Sequence, residues 1–150
     1  MSDATRTYGT CVALGATAAL LVGPSRAGKS DLALRFVMSS LNEGGVARLV
    51  ADDQVLLNIE NDRLIARPPV VLAGKIEVRG LGILTIPYRE EAELRLIIQL
   101  CKSEDVPRMP PECLPTQELG GKTLPVLLLA PFEISAPLKL RLALMQFVGR

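Results

Sequence analysis

The sequence predicts an α/β domain built on a mixed β-sheet with few helices, and two observations support this prediction. Short aliphatic runs between turn-forming residues outnumber the segments with helical character. The glycine-rich string GPSRAGKS at residues 23–30 follows such a run and precedes a segment of good helix formers. A chain of 150 residues fits one hydrophobic core, so we predict a single domain over residues 1–150.

The first third of the chain predicts a hairpin, a loop, a helix and a strand in succession. Residues 7–14 and 17–22 are β-like runs separated by a Gly-Ala pair, which predicts a hairpin. Residues 29–41 contain good helix formers and neither glycine nor proline. We therefore predict a mostly buried helix, ended by the segment 42–45. Residues 47–51 are a short apolar run, which predicts the next strand.

The remainder of the chain predicts three further strand regions, a long loop and one helix. Residues 55–67 are two short runs around an Asn-Asp pair, which is typical of a hairpin. Apolar side chains recur at every second position of residues 92–100, and this period predicts a strand although the residue types also suit a helix. Four prolines and two glycines make residues 105–123 a predicted loop, and residues 125–130 a strand after it. We predict a final helix from its capping residue Ser135 to about Phe147, with a proline in its first turn.

Charge and composition exclude several classes of function. A net charge of +1 gives no general attraction for nucleic acid or anionic lipid, and three phenylalanines and two tyrosines are too few to stack on a single strand. We therefore predict no nucleic-acid partner. No uninterrupted apolar run reaches about 18 residues, so we predict no membrane span.

Cysteine and histidine content indicates the cellular environment. The chain has three cysteines without a C-x-x-C pair, and it has no histidine. These counts disfavour a disulfide framework or a zinc site, favour a cytoplasmic protein, and remove the most common general base. Residues 11–22 have the apolar character of a secretory leader. Cleavage beyond them would cut the glycine-rich loop, so we expect no leader here.

The spacing G-x-x-x-x-G-K-S indicates a phosphate-binding loop, which we call the phosphate loop. Its glycines allow several backbone N–H groups to point at one place, and the helix that follows directs its positive end there. The lysine adds a charge for the β- and γ-phosphates of a nucleotide, and the serine hydroxyl suits Mg²⁺. The predicted nucleotide-binding residues are Gly23, Pro24, Ser25, Arg26, Ala27, Gly28, Lys29 and Ser30.

Two carboxylates follow the predicted strand at residues 47–51. Asp52 and Asp53 come where that strand ends, and ligands of open sheets lie beyond the carboxyl ends of strands. One carboxylate could order Mg²⁺ and its waters, and the other could accept a proton from an attacking hydroxyl. The alternative interpretation is a solvated turn with capping aspartates.

The segment EVRGLGI at residues 77–83 is the third unusual feature. We predict Glu77 and Arg79 on one face of a strand, with Gly80 and Gly82 freeing the backbone for a close approach. A surface ion pair before a glycine bulge is the alternative interpretation. The patterns N-K-x-D and D-x-x-G are absent from the chain, which disfavours a GTPase.

Taken together, the strings GPSRAGKSDLAL, RLVADDQV and LAGKIEVRGLGI resemble the HPr kinase/phosphorylase family. The resemblance runs from about Thr7 to Arg141 and is greatest with the short alphaproteobacterial form, which consists of the catalytic domain alone. It implies the catalytic fold shared by HPr kinase and phosphoenolpyruvate carboxykinase. The implied activity is an ATP- and Mg²⁺-dependent protein serine kinase that phosphorylates HPr, a small phosphocarrier protein. A phosphorolysis that releases pyrophosphate is also implied.

The resemblance also implies roles for individual residues. Lys29 matches the loop lysine, and Asp52 matches the aspartate that takes the serine proton. Ser30 and Glu77 match the Mg²⁺ ligands. Asp53 is a further metal candidate because of its place after the predicted strand and not because of the resemblance. The segment that serves both reactions matches Ile76, Glu77, Val78, Arg79, Gly80, Leu81, Gly82 and Ile83, and it extends to Thr85.

The match is looser, or departs from the family, at three places. Arg108 falls where the family has an arginine near the transferred phosphate, and residues 136–141 fall near a segment tied to the phosphorylase reaction. Tyr8 stands where the family has a histidine, and Arg26 stands where small residues are common. A phenol does not carry a positive charge at neutral pH, so this departure weakens the expectation of phosphorylase activity more than that of kinase activity.

The leading hypothesis is therefore a serine kinase that acts on an HPr-type carrier. A nucleotide-binding regulatory protein without turnover and a small-molecule kinase are the alternatives. The family implies a homo-oligomer, typically a hexamer, and an apolar content of 49% is generous for a monomer of this size.

Overall fold

The computed structural model describes residues 4–39 and 45–147, and it confirms the mixed sheet with few helices. In the described residues, nine strands form one sheet and two more form a separate hairpin. The strands are β1 (Thr5–Tyr8), β2 (Thr10–Leu14), β3 (Thr17–Val22), β4 (Ala47–Ala51), β5 (Gln54–Glu60), β6 (Arg63–Arg67), β7 (Lys75–Val78), β8 (Gly82–Thr85), β9 (Ala92–Leu100), β10 (Thr116–Leu119) and β11 (Lys122–Leu129). The helices are α1 (Lys29–Met38) and α2 (Ala136–Met145), with short 3₁₀ turns at Val70–Leu72 and Ser103–Asp105.

The order of the strands brings the carboxyl ends of β3, β4, β9 and β11 to one edge of the sheet. Strand β3 pairs in parallel with β9, and β11 also pairs in parallel with the second half of β9. Strand β2 is antiparallel to both β3 and β4, so β4 runs in the same direction as β3. The loop after β3 and the residues after β4 therefore lie at the same edge.

The sheet is buried on both faces. On one face, α1 and α2 pack over a cluster that includes Leu21, Leu49 and Leu96. On the other face, side chains of β5, β6, β10 and β11 of the same sheet pack in a cluster that includes Leu20 and Ile97. Burial on both faces explains the aliphatic runs of the central strands.

Strand β9 confirms the predicted strand but not a uniform alternation. Ala92 and Leu94 face one core cluster, whereas Leu96, Ile98 and Leu100 face the other. The pairing with β3 shifts between Ala18 and Ala19, which corresponds to a bulge opposite them in β9. One extra residue in a strand changes the face of every side chain after it.

The predicted hairpins at the start of the chain and around the Asn-Asp pair are confirmed. Both turn residues Asn61 and Asp62 have positive φ, as a two-residue turn of this kind requires. The first predicted run is divided, because the chain turns at Gly9 and β1 pairs with β5 instead of continuing β2. A Cβ at Gly9 would lie 2.7 Å from the Leu21 carbonyl oxygen, so the backbones approach closely there.

The boundaries of two predicted segments, the first helix and the long loop, were wrong. Helix α1 ends at Met38, because Ser39 already has an extended backbone and serine competes with helical hydrogen bonding; residues 40–44 lie outside the described residues. The predicted loop at 105–123 contains β10 and the start of β11, joined by a turn at two glycines with positive φ. Neighbouring prolines concealed this hairpin in the sequence.

In the described residues, no helix is long and apolar enough to cross a membrane.

The capping prediction for α2 was half right. Ser135 occupies the N-cap position and a proline follows in the first turn. The Ser135 side chain makes no capping hydrogen bond, because its backbone is helical (φ −79°, ψ −3°) instead of extended. Helix α2 ends at Met145, two residues before the predicted end at Phe147.

Candidate nucleotide and phosphoryl-transfer site

The phosphate loop joins β3 to α1 and has the local geometry that its glycines predict. Gly28 has φ +97°, and its carbonyl oxygen accepts the Leu32 N–H at 2.9 Å as the first turn of α1 begins. The Ala27 N–H donates to the Pro24 carbonyl at 3.0 Å, which closes the turn before it. The helix therefore starts directly from the loop, so its free N–H groups are available for an anion.

Lys29 extends over the loop. Its Nζ donates to the Gly23 carbonyl at 2.7 Å and to the Pro24 carbonyl at 2.9 Å. These two bonds hold the ammonium group at the rim of the loop and not against an acidic side chain. A cation held by neutral carbonyls can exchange them for phosphate oxygens.

Asp52 connects the loop to two other strands. Its Oδ1 accepts hydrogen bonds from the Ser30 hydroxyl at 2.8 Å and from the Thr10 hydroxyl at 2.9 Å. The backbone N–H of Glu77 approaches its Oδ2 at 3.4 Å. One carboxylate oxygen is thus anchored by two hydroxyl groups, while the other accepts a single long hydrogen bond and keeps acceptor capacity.

Asp53 and Tyr8 lie beside this carboxylate. The Asp53 backbone has φ +71°, and its carbonyl oxygen accepts the Gly9 N–H at 3.1 Å. Asp53 is exposed, and Tyr8, at the end of β1, has 67% of its surface exposed. The bend after β4 therefore presents a second carboxylate to solvent, and its backbone is hydrogen-bonded to the residue that follows Tyr8.

The β7–β8 hairpin forms another wall. Ile76 is buried in the core below α1, whereas Glu77 is exposed. Arg79 lies in the turn after β7 and not on the strand, which corrects the prediction of one shared face. Within residues 4–39 and 45–147, no ion pair joins Glu77 to Arg79, so the alternative of a surface ion pair is not supported.

These groups line one open cleft of about 990 Å³. The cleft brings together most of the predicted site residues and also Asp31, Leu34 and Phe132. Its predicted members are Tyr8, Gly23, Ser25, Arg26, Gly28, Lys29, Ser30, Asp52, Asp53, Glu77, Val78 and Arg79.

Other predicted residues do not line the cleft. Arg108 is exposed in the loop between the 3₁₀ turn at Ser103–Asp105 and β10. Residues 136–141 form the first half of α2 and are likewise outside the lining. Leu81 and Ile83 of the signature segment are exposed, and Ile76 supports the hairpin from the core.

The donor set of the cleft fits Mg²⁺ bound together with a nucleotide. The described residues contain no group of three acidic, cysteine or histidine side chains close enough to hold a metal by themselves. Mg²⁺ commonly takes one or two protein oxygens and completes its shell with phosphates and water. Ser30, Asp53 and Glu77 supply such oxygens at the cleft.

Sequence reasoning gave no role to two residues of this site. Thr10 is almost completely buried and bonds directly to Asp52, and the available signal was a polar residue between apolar neighbours in a strand. Phe132 follows β11 and lines the cleft, and no spacing in the sequence linked it to the phosphate loop.

Comparisons with known proteins identify relatives of this chain. The family described as HPr Serine kinase C-terminal domain matches residues 1–122. An HPr kinase/phosphorylase from Clostridium tetani is 37% identical over 87 residues, which are 58% of this chain and 27% of that protein. One from Clostridium beijerinckii is 32% identical over 105 residues, which are 65% of this chain and 33% of that protein. The chain thus matches a third or less of the length of these curated relatives.

A solved structure gives the same result for the fold. The structure of the Hpr(Ser) kinase/phosphatase from Coxiella burnetii has a TM-score of 0.75 and 26% sequence identity to this chain. The match covers 95% of this chain and 89% of that chain. The family match, the relatives and the shared fold lead to one conclusion: the chain belongs to the HPr serine kinase C-terminal domain family.

Proposed function

We propose that this protein is a cytoplasmic, ATP- and Mg²⁺-dependent protein serine kinase that phosphorylates an HPr-type phosphocarrier protein. The observation that carries the proposal is the carboxylate of Asp52. It lies at the mouth of a phosphate loop, is hydrogen-bonded to Ser30 of that loop, and has one oxygen with free acceptor capacity. A protein kinase needs a carboxylate in such a position to receive the proton of the attacking hydroxyl.

In the proposed mechanism, the phosphate loop and Lys29 bind and orient the nucleotide phosphates. The Ser30 hydroxyl oxygen, Glu77 and Asp53 would hold Mg²⁺, which when bound neutralises charge on the phosphates. The carrier's serine hydroxyl loses its proton to Asp52 as its oxygen bonds to the γ-phosphorus and the bond to ADP breaks. Positioning and electrostatic stabilisation by the fixed loop supply most of the acceleration.

We also propose that Arg108 acts only when its loop is repositioned. Its guanidinium lies outside the cleft in the structure of the isolated chain. We expect docking of the carrier to bring this loop to the transferred phosphate. The R108A variant tests this role, and full carrier phosphorylation by R108A would remove Arg108 from the reaction.

The phosphorolysis reaction depends on Tyr8 under this proposal. Tyr8 lines the same cleft as the two aspartates, and the family resemblance implies a histidine at its position. A phenol can donate a hydrogen bond to phosphate but adds no positive charge. We expect the reverse reaction with inorganic phosphate to be slow in the natural chain, and Tyr8→His to accelerate it more than it accelerates the forward reaction.

We further propose self-association, with a hexamer as the assembly that family resemblance implies. Helix α2 presents a row of exposed apolar side chains at one-turn spacing, namely Leu138, Leu142 and Met145. A row of this kind is unusual on the surface of a monomer. A single sedimenting species of monomer mass at micromolar concentration would contradict this part of the proposal.

A coupled assay for ADP separates the kinase from its two alternatives. A carrier kinase releases ADP from Mg²⁺-ATP only when an HPr-type carrier is present. A regulatory protein binds ATP without releasing ADP under any condition. A small-molecule kinase releases ADP with a metabolite pool from which proteins have been removed, and it leaves the carrier unmodified. ADP release that requires the carrier supports the proposal, and either of the other patterns overturns it.

A further inference from the structure

Phe132 is an exposed aromatic side chain that touches the phosphate loop. Its surface is 71% exposed. It is one of only three phenylalanines in the chain. The edge of its ring reaches the loop, since Cζ lies 2.9 Å from the position that a Cβ on Gly28 would take. The ring also lines the cleft that contains Lys29 and Ser30. An aromatic ring with an exposed surface is therefore fixed next to a phosphate site.

The backbone that carries this ring is anchored on both sides. Arg35 of α1 donates hydrogen bonds to the carbonyl oxygens of Pro131 and Glu133, the residues flanking Phe132. The Glu133 carboxylate in turn accepts a hydrogen bond from Lys139 at 2.9 Å. The segment is thus hydrogen-bonded to both helices, so the position of the ring is fixed before any ligand binds.

We propose that Phe132 is a stacking platform for the base of the nucleotide, an inference that rests on the proposed nucleotide site. The base is joined through the ribose to the α-phosphate, which belongs near the first turn of α1. Phe132 contacts the loop at Gly28, next to that turn, and Asp31 of the turn lines the same cleft. A ring in this place can stack on the π face of the base, and every base has such a face.

The same exposed ring could instead serve carrier docking, and a neighbouring residue distinguishes the two. Ile134 is fully exposed two residues further on but does not line the cleft. A protein-docking patch would use both side chains, whereas base stacking uses Phe132 alone. Position in the cleft therefore favours the nucleotide base as the occupant, and Ile134→Ala is the matched control.

The test compares ATP with inorganic tripolyphosphate, which has the phosphates but no base. Binding of each ligand in the presence of Mg²⁺ is measured by calorimetry for the natural chain and for the F132A, F132L and I134A variants. We expect F132A and F132L to weaken ATP binding by about tenfold, the range for loss of one base–aromatic stack. Tripolyphosphate affinity should stay within about twofold, and I134A should match the natural chain for both ligands.

A tryptophan at the same position gives an independent readout. The chain contains no tryptophan, so the F132W variant carries one fluorophore at the proposed platform. We expect ATP to quench its emission and tripolyphosphate to leave it unchanged, while F132W retains ATP affinity.

Three results would overturn the inference alone: normal ATP binding by F132A, an equal loss of both ligands in F132A, or a loss in I134A equal to that in F132A. If the natural chain bound neither ligand, the proposed function itself would fail, and this inference would fail with it.

Discussion

The Ser30 hydroxyl donates a 2.8 Å hydrogen bond to the Asp52 carboxylate, and this bond joins the phosphate loop to the end of β4. Ser30 belongs to the first turn of α1, and Asp52 lies 22 residues later in the chain. The hydroxyl proton points to Asp52, so the lone pairs of the Ser30 oxygen remain available to a cation. The two residues that serve metal and proton in the proposed reaction are therefore positioned by each other.

Replacing Asp52 with asparagine tests the proton-accepting role. The amide oxygen can still accept from the Thr10 and Ser30 hydroxyls, so the fold and ATP binding should persist. We expect carrier phosphorylation to fall by at least about a hundredfold, since an amide cannot take the serine proton. Calorimetry with ATP and a phosphotransfer assay measure the two effects separately. An Asp52→Asn enzyme with full activity would remove the assignment.

Replacing Thr10 with valine tests whether Thr10 orients Asp52. Valine keeps the shape and suits a strand, but it removes the donor to Oδ1. A hydrogen bond to a charged group contributes about 1.5–3 kcal/mol, so we expect kcat for carrier phosphorylation to fall by roughly tenfold or more while ATP affinity is unchanged. Thr17→Val is the control, since Thr17 is also buried but lies at the far end of β3. Equal kcat in the two variants would show that Thr10 has only a packing role.

We expect replacement by alanine to destabilise the fold more at Gly9 than at Gly15. A Cβ at Gly9 would lie 2.7 Å from the Leu21 carbonyl oxygen in the central strand β3, and this backbone cannot move aside easily. Gly15 has φ +60° but open space around it. We expect Gly15→Ala to lower the free energy of unfolding by about 1 kcal/mol, from backbone strain alone. Gly9→Ala should lower it by a larger amount in urea titrations, and an effect as small as that of Gly15→Ala would contradict the close approach.

Because the Cys11 thiol is buried, we expect the free energy of unfolding to fall in alkali. Burial raises the pKa of its thiol well above the ordinary value, so the folded state keeps the proton when the unfolded state has lost it. Above about pH 9 the folded chain therefore binds more protons, and stability falls as the pH rises, by up to about 1.4 kcal/mol per pH unit. Urea unfolding between pH 7 and pH 10 should show this slope in the natural chain and a shallower slope in Cys11→Ala. Identical slopes would show that the thiol is accessible to ionisation in the folded protein.

Local patterns in the sequence were sufficient for most of the fold. The phosphate loop, the hairpin turn at Asn61 and Asp62, and the strand at residues 92–100 each depend on a few neighbouring residues, and the structure confirms all three as structural elements. The bulge in β9 and the division between β1 and β2 depend on which strands lie alongside. No local pattern predicts such pairings, so these features were missed.

The site was predictable where chemistry-bearing residues are close in sequence to a strand end. Asp52 and Asp53 follow β4 at the edge where the phosphate loop follows β3, and the β7–β8 hairpin places Glu77 in the same cleft. Thr10 and Phe132 reach that edge through antiparallel pairing and through the segment after β11. Their places depend on contacts between distant parts of the chain, which a single sequence does not contain.

The central claim is transfer of one phosphoryl group from ATP to a serine of an HPr-type carrier. Intact-mass analysis of the carrier after incubation with this protein and Mg²⁺-ATP tests it most directly, with Lys29→Ala as the matched control. The proposed function predicts a single phosphoryl addition, located on a serine and absent with Lys29→Ala. An unmodified carrier, while the natural chain still binds ATP, would contradict the kinase assignment and favour a regulatory nucleotide-binding protein.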